Sequence, residues 1–538
     1  MEDPSLIHRQ MHREAATIDS IGDDLLHNIF SRLPAPFCAT VACVCRSWNL
    51  IATRILSYPK FSSALSRNPS LQDAVNEVID EVLSQPIRPQ FAIASVGPSF
   101  SLEDAHALIS RRLDSRIPVI TCTSQGIIGR DALTHEFQEV QWDIVDDDDG
   151  DNVEDVNMLP NANVGVLLSV GFLPGLKANL IPLLWNNRGT RGLMVDEFVM
   201  SIREYSSLVS GTTSPQGIIL FSDQETDMKD VLVKMDYAFS GETVIVGDGA
   251  GKFLYQIDNG VNATINQDCT PAALALVFAK DRDKPPGVGE TQFHVMLSNG
   301  ISAFGPTYKA VSVRERRTGN TTWLTAKRGA EQEDLDGQTL LEQIFHEVGD
   351  YFHCQALFIG VMKRRKCSIG EEKVKWSTFQ EFHEVLRGDE EYLYVNGLGI
   401  KSGDLFRFYI SDSNTALSSC KKIADNLRCL KQEYDCRNHP SGDAVNIDKK
   451  AILGGISFCC CGRGESFFGH ANADSSPFVE NLPMVPLAGN FCAGEIARVD
   501  LSSYGDGPEE LCSIRCNLHV FSTVYLVMSY TPAGPAQL

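Results

Sequence analysis

Ile21-Gly-Asp-Asp-Leu-Leu-His-Asn-Ile-Phe-Ser-Arg-Leu-Pro34, followed by Val41-Ala-Cys-Val-Cys-Arg-Ser-Trp48, decides how this 538-residue chain is organised. In the first segment Ile21, Leu25, Leu26, Ile29, Phe30 and Leu33 recur at three- and four-residue steps. That spacing predicts a helix with one apolar stripe, stopped by Pro34 and Pro36. Val41, Val44, Cys45, Trp48 and Ile51 repeat the spacing in the next block. Two or three short helices cannot bury so much apolar surface alone, so the module needs a covering surface, in this chain or in a partner.

Working outward, residues 1–17 are charged and lack periodicity, as a flexible tail does. The helical module spans 18–62. Residues 63–88 read as a connection, with a helix over Leu71–Leu83 and a break at Gln85-Pro-Ile-Arg-Pro89. Beyond it the period changes. Strands are predicted at Phe91–Val96, Val119–Thr123, Val164–Val170, Gly217–Phe221, Thr243–Val246 and Phe293–Leu297, with helices over Leu102–Leu113 and Val195–Leu208 between them. Later, Ala416, Cys420, Ile423, Ala424 and Leu427 share a helix face behind an N-cap at Asp412 or Ser413, and His519–Tyr530 is β-rich. The fold class is therefore α+β: a small all-helical module, then a large mixed α/β region of sheets covered by helices.

Composition narrows the partners. Lys and Arg number 47 against 69 Asp and Glu, a net charge of −22, which repels phosphate backbones and anionic lipid heads. Nucleic acid and membrane are therefore not expected as partners. No apolar run approaches the roughly 20 residues that cross a bilayer, and Met1–Gln10 has no signal-peptide core. The expected location is the cytoplasm, the nucleus or both. Sixteen cysteines, diluted in a long chain and often inside apolar runs, read as reduced buried thiols. The acidic run at 143–155 carries too much like charge to pack and reads as a surface loop without the ligand spacing of a calcium site.

The two helical segments resemble the F-box. The family's opening Leu-Pro is replaced by Ile21-Gly22, and its acidic residue and Leu after the first helix are replaced around Phe37–Thr40. The resemblance implies docking on a Skp-type adaptor, and through it on cullin and RING subunits, with Ile21, Leu25, Leu26, Ile29, Phe30, Leu33, Val44, Cys45 and Trp48 as the docking residues. The alternative is that the stripe is internal core, as such stripes more often are.

Past Phe91 the chain resembles the FIST family. Thr121-Cys-Thr-Ser-Gln-Gly-Ile-Ile128, Leu297-Ser-Asn-Gly300 and Gly305-Pro306 carry the first part of that resemblance. Ile400-Lys-Ser-Gly-Asp-Leu-Phe-Arg407, Phe458-Cys-Cys-Cys-Gly-Arg-Gly464 and Pro486-Leu-Ala-Gly-Asn-Phe-Cys-Ala-Gly-Glu-Ile496 carry the second. It implies two related halves, 89–305 and 306–530, before a tail at 531–538. It also implies either recognition of a protein to be ubiquitinated and degraded by the proteasome, or sensing of a small molecule such as an amino acid, with the F-box as a docking module only. Arg463 and Glu495 would then pair to order a pocket at strand ends, or bind the charged ends of an amino acid.

Other constellations fail on spacing. Val246-Gly-Asp-Gly-Ala-Gly-Lys252 lacks the first phosphate-loop glycine and the Ser or Thr after Lys, so it reads as a Gly-rich turn in which glycine supplies positive φ. Cys459, Cys460 and Cys461 cannot form a tetrahedral metal site by themselves, and Cys436, His439, Cys512 and Cys516 supply no correctly spaced second pair. No nucleophile, base and orienting group stand together, so no catalytic residue, metal or cofactor is expected. The basic run Lys363-Arg-Arg-Lys366 fits a solvated turn or strand edge as well as a nuclear-import signal.

Overall fold

The computed structural model describes residues 22–142, 163–186, 192–256, 269–329, 334–348, 356–435, 450–500 and 514–533. The chain forms two units. One comprises the described residues of Met1–Tyr58 with Leu83–Arg88, and the other those of Pro59–Val82, Pro89–His439 and Asp448–Leu538. The tail at 1–17, Ile21, the acidic run at 143–155, Cys436, His439 and Cys512 lie outside the described residues.

The small unit holds three helices, α1 (Asp23–Phe30), α2 (Ala35–Val41) and α3 (Arg46–Leu56). Gly22 is extended, and Asp23 and Asp24 fill the first turn of α1, where the helix dipole favours negative charge. Pro34 then opens α2 rather than merely ending α1. The block from Val41 to Ile51 is not one helix face: α2 stops at Val41, and Val44 and Cys45 lie in the turn before α3.

In the large unit, a strand straddles the expected boundary at 62/63, and the helix expected in the connection packs on it. β1 (Lys60–Ser66) pairs antiparallel with β6 (Val166–Phe172), and α4 (Leu71–Val82) packs on that pair. Val75, Val78, Ile79 and Val82 of α4 are fully buried, each contributing about 1.5–3 kcal/mol. This burial makes α4 part of the core instead of a spacer. The first sheet continues from β6 to β2 (Phe91–Val96), β3 (Val119–Thr123) and β11 (Phe253–Gln256). Its helix α5 (Leu102–Arg112) starts at Ser101, whose hydroxyl accepts from the Asp104 amide at 3.1 Å, and ends in Arg111 and Arg112.

A second sheet runs β13 (Glu290–Asn299), β24 (Ser522–Thr531), β20 (Ala451–Cys460), β21 (Leu487–Cys492), β4 (Gly126–Arg130) and β5 (Phe137–Gln141). A third runs β23 (Ile514–His519), β22 (Glu495–Asp500), β10 (Val244–Asp248), β9 (Gly217–Ser222), β12 (Cys269–Lys280), β7 (Leu176–Asn186) and β8 (Gly192–Leu193). Helices α6 (Val195–Ser210) and α7 (Lys229–Ala238) cover the third sheet, while α9 (Ser413–Asp435), with α10 (Glu465–Phe468) and α11 (Ser476–Asn481), covers the second. Phe91, Phe278 and Phe293, one from each sheet, meet at ring distances of 5.2 and 5.3 Å and join the three layers.

The remaining strands close a barrel in the order β14 (Ile301–Arg316), β15 (Thr321–Arg328), β18 (Leu393–Asn396), β17 (Lys375–Gly388), β16 (Leu357–Cys367) and β19 (Leu405–Ser411). Tyr308, Phe406 and Phe408 fill it, and α8 (Gly337–Val348) adds Leu340 and Ile344 to the same core. The expected boundary at 305/306 falls inside β14. The second and third sheets each take strands from both sides of it, so 89–305 and 306–530 do not fold as separate halves.

Candidate functional site

The apolar stripe of the small unit divides into two sets. Leu26 and Phe30 turn inward and meet Cys38, Ile51, Ala52 and Ile55 in a core on which Leu33 and Trp48 also pack. The Phe30 and Trp48 rings lie edge to face at 5.1 Å. Leu25 and Ile29, one turn apart on the adjoining face, are 62% and 48% exposed. Val44 is 62% exposed, and Cys45 beside it is also open. Leu26, Phe30, Leu33 and Trp48, expected to dock a partner, are thus occupied in holding the helices together. Phe37 and Leu50 were not among the sequence candidates, yet they are 63% and 72% exposed. Phe37 lies where the sequence departs from the F-box pattern, which hid it, and Leu50 is out of step with the inward residues of α3.

In the large unit Arg463 is fully buried and does not pair with Glu495. Its Nε and Nη2 donate to the two carboxylate oxygens of Asp474 at 2.9 and 2.6 Å. Nη2 also reaches the Ser298 hydroxyl at 3.0 Å, and Nη1 donates to the carbonyls of Phe521 and Ser298 at 2.9 and 3.4 Å. A guanidinium has five N–H donors, so none remains for a ligand carboxylate. Burial would lower the Arg463 pKa, but the charge of Asp474 outweighs it and holds the group above its ordinary value. Asp474 lies in the turn before α11, eleven residues along the chain, and nothing in its spacing marks it as the partner.

Glu495 starts β22, where the ladder sets it directly opposite Asp248. It accepts from the Ser522 hydroxyl at 2.9 Å. Burial pushes its carboxyl well above the usual range, which disfavours the anion that an ammonium group would need. Burial likewise pushes Asp248 up to about 7, against bonds from the Ala250 amide at 3.0 Å and the Asn490 side chain at 3.2 Å. Neither Arg463 nor Glu495 lines the 570 Å³ cleft beside Gln216 and His294, or the 490 Å³ groove along α9.

The Gly-rich segment joins β10 to β11 across two sheets. None of Gly247, Gly249 and Gly251 has positive φ. Their reason is close approach: a Cβ on Gly247 would lie 2.1 Å from the Leu220 carbonyl, and one on Gly251 would lie 2.9 Å from that of Thr123. Cys459 and Cys460 are buried in β20, and burial raises the Cys459 thiol well above its ordinary value, which makes it a poor nucleophile.

Residues 20–59 match the F-box-like family. An F-box/LRR-repeat protein of Arabidopsis thaliana is 40% identical over 519 residues, which is 96% of this chain and 94% of the relative. The chain belongs to the F-box protein family.

The relative's name includes leucine-rich repeats, which stack one parallel strand per roughly 20–29 residues. Among the described strands of this F-box protein only β2 with β3, β9 with β10 and β20 with β21 pair in parallel. Its large unit is therefore built from mixed sheets and a barrel. Among the described residues no helix is long and apolar enough to cross a membrane, and no group of His, Cys, Asp and Glu is arranged to hold a metal.

Proposed function

We propose that this F-box protein is the substrate-recognition subunit of a Skp–cullin–F-box ubiquitin ligase. The helical module docks on the Skp-type adaptor, and the large unit, which resembles the FIST family, holds the protein to be ubiquitinated. The observation that carries the reading is the exposure of Leu25, Ile29, Phe37, Val44 and Leu50 on a module whose core is already filled by other residues. Large apolar side chains left in water beside a complete core are the signature of a partner surface. The chain supplies no chemistry under this reading. It raises the effective concentration of the substrate lysines near the charged conjugating enzyme, in the cytoplasm or nucleus.

The test is copurification of adaptor and cullin with the full chain and with a Leu25→Asp, Ile29→Asp variant. Both positions are exposed, so the variant keeps its fold, as circular dichroism verifies. Wild type is expected to retain the adaptor and the variant to lose it. Equal retention, or no adaptor on the wild type, overturns the reading.

A further inference from the structure

The basic run Lys363-Arg-Arg-Lys366 is neither a turn nor a free import signal, but sits on a strand edge. It lies within β16, laddered to β17 with Arg364 opposite Thr378 and Lys366 opposite Trp376. Strand alternation sends its cations to two faces. Lys363 is buried, donating to the Gly399 carbonyl at 2.6 Å and pairing with Asp404. Arg365 pairs with Asp230 and, at 3.1 Å, with Glu381. An import receptor that reads consecutive basic side chains on an extended peptide finds half of these already taken.

The other two cations face outward around an aromatic ring. The Arg364 guanidinium and the Lys366 ammonium lie 5.0 and 5.2 Å from the Trp376 ring, within cation–π range. Trp376 is nevertheless 55% exposed, and Val374 beyond it is 58% exposed. Among the described residues neither Arg364 nor Lys366 has a carboxylate within ion-pair distance. The hairpin turn adds the exposed Lys373, while its Glu372 is held by Arg203 at 2.5 Å and Glu371 stands open. Around Trp376 neither arm is laddered to a third strand: β19 follows β16 only to Val361, and β18 meets β17 only from Val385.

We propose that this face of the β16–β17 hairpin docks an acidic, extended segment of the ubiquitination substrate, its carboxylates on Arg364 and Lys366 and an apolar side chain on Trp376 and Val374. The local charge selects this occupant: Arg364 and Lys366 flank the ring and, among the described residues, neither is neutralised by a carboxylate of this chain. The net −22 of the whole chain opposes any long polyanion, so the segment that fits is a short one confined to these cations, within a screening length of them. A large ring between two donors, open to solvent, has the chemistry of a binding hot spot. The substrate's identity rests on the receptor reading above, but the surface itself does not.

A fluorescent Asp/Glu-rich peptide carrying one Phe is titrated against the full chain, beside a Lys/Arg-rich peptide and a single-stranded oligonucleotide of equal negative charge. The acidic peptide is expected to bind, more weakly as salt rises, and Trp376→Ser or the pair Arg364→Glu, Lys366→Glu to cost at least about tenfold in affinity without shifting the melting midpoint. Unchanged affinity in both variants overturns the proposal, as does tighter binding of the oligonucleotide. The Leu25→Asp, Ile29→Asp variant must bind the peptide normally. Adaptor capture without peptide binding removes the hairpin proposal alone, and peptide binding without adaptor capture removes the ligase reading alone.

Discussion

The helical module and the large unit carry opposite kinds of surplus. The module has filled its core with Leu26, Phe30, Cys38, Ile51 and Ile55 and still leaves Leu25, Ile29, Phe37, Val44 and Leu50 outside. The large unit has brought Arg463, Asp474, Asp248 and Glu495 inside. Apolar groups in water lack a partner, whereas each of these buried polar groups has one within the chain. Exposure in the small unit therefore points to another protein, and burial in the large one points to architecture.

The sharpest way to break that contrast is to remove one side of the buried pair. Arg463→Met leaves Asp474 as an uncompensated charge at 0% exposure, with an expected loss of about 3–5 kcal/mol. Chemical denaturation should detect it, and an Arg463→Met, Asp474→Leu double variant should recover most of the loss. If Arg463 instead served a ligand, the single variant would fold with near-normal stability.

A smaller effect sits on Asp248. Its carboxyl is raised from 3.8 to about 7, first by burial. Between those values the unfolded chain has released the proton and the folded chain retains it. The resulting stabilisation is complete below pH about 4 and is lost as pH rises through about 7. Asp248→Asn cannot ionise, so its melting midpoint should change less between pH 4 and 8. At pH 8 it should exceed wild type by up to about 4 kcal/mol. Glu139, also pushed up to about 7 by burial and then by the charge of Asp474, adds to the wild-type slope. Parallel midpoint curves for wild type and variant would show that Asp248 is charged in the fold.

What the sequence discloses follows from how local the cause is. Phe91–Val96 and Val119–Thr123 are legible because short apolar runs bounded by Pro, Gly or charge have one local solution, and α5 because Ser101 caps it. The partner of Arg463 is not legible, since Asp474 reaches it through a turn that periodicity does not describe. The mixing of early and late strands within the second sheet is equally hidden, because pairing of β4 with β21 joins residues more than 300 positions apart. In the F-box, spacing finds the apolar residues without saying which lie inward: Leu25 and Leu26 are neighbours in sequence, and only packing separates a 62% exposed side chain from one at 4%.

That separation sets the smallest and most discriminating stability prediction. Leu26→Ala opens a cavity in the module's core, at about 2–5 kcal/mol, so lost adaptor binding in that variant says nothing about docking. Leu25→Ala and Ile29→Ala remove side chains that water already touches, and each should alter stability by no more than about 0.5 kcal/mol. Thermal melts of the full chain measure both. If the two outward substitutions lower the midpoint as far as Leu26→Ala does, the outer face is packed inside this protein and the docking surface has to be sought elsewhere on the module. If they leave it unmoved and still weaken adaptor capture, the loss belongs to the interface, because the fold that presents it has not changed.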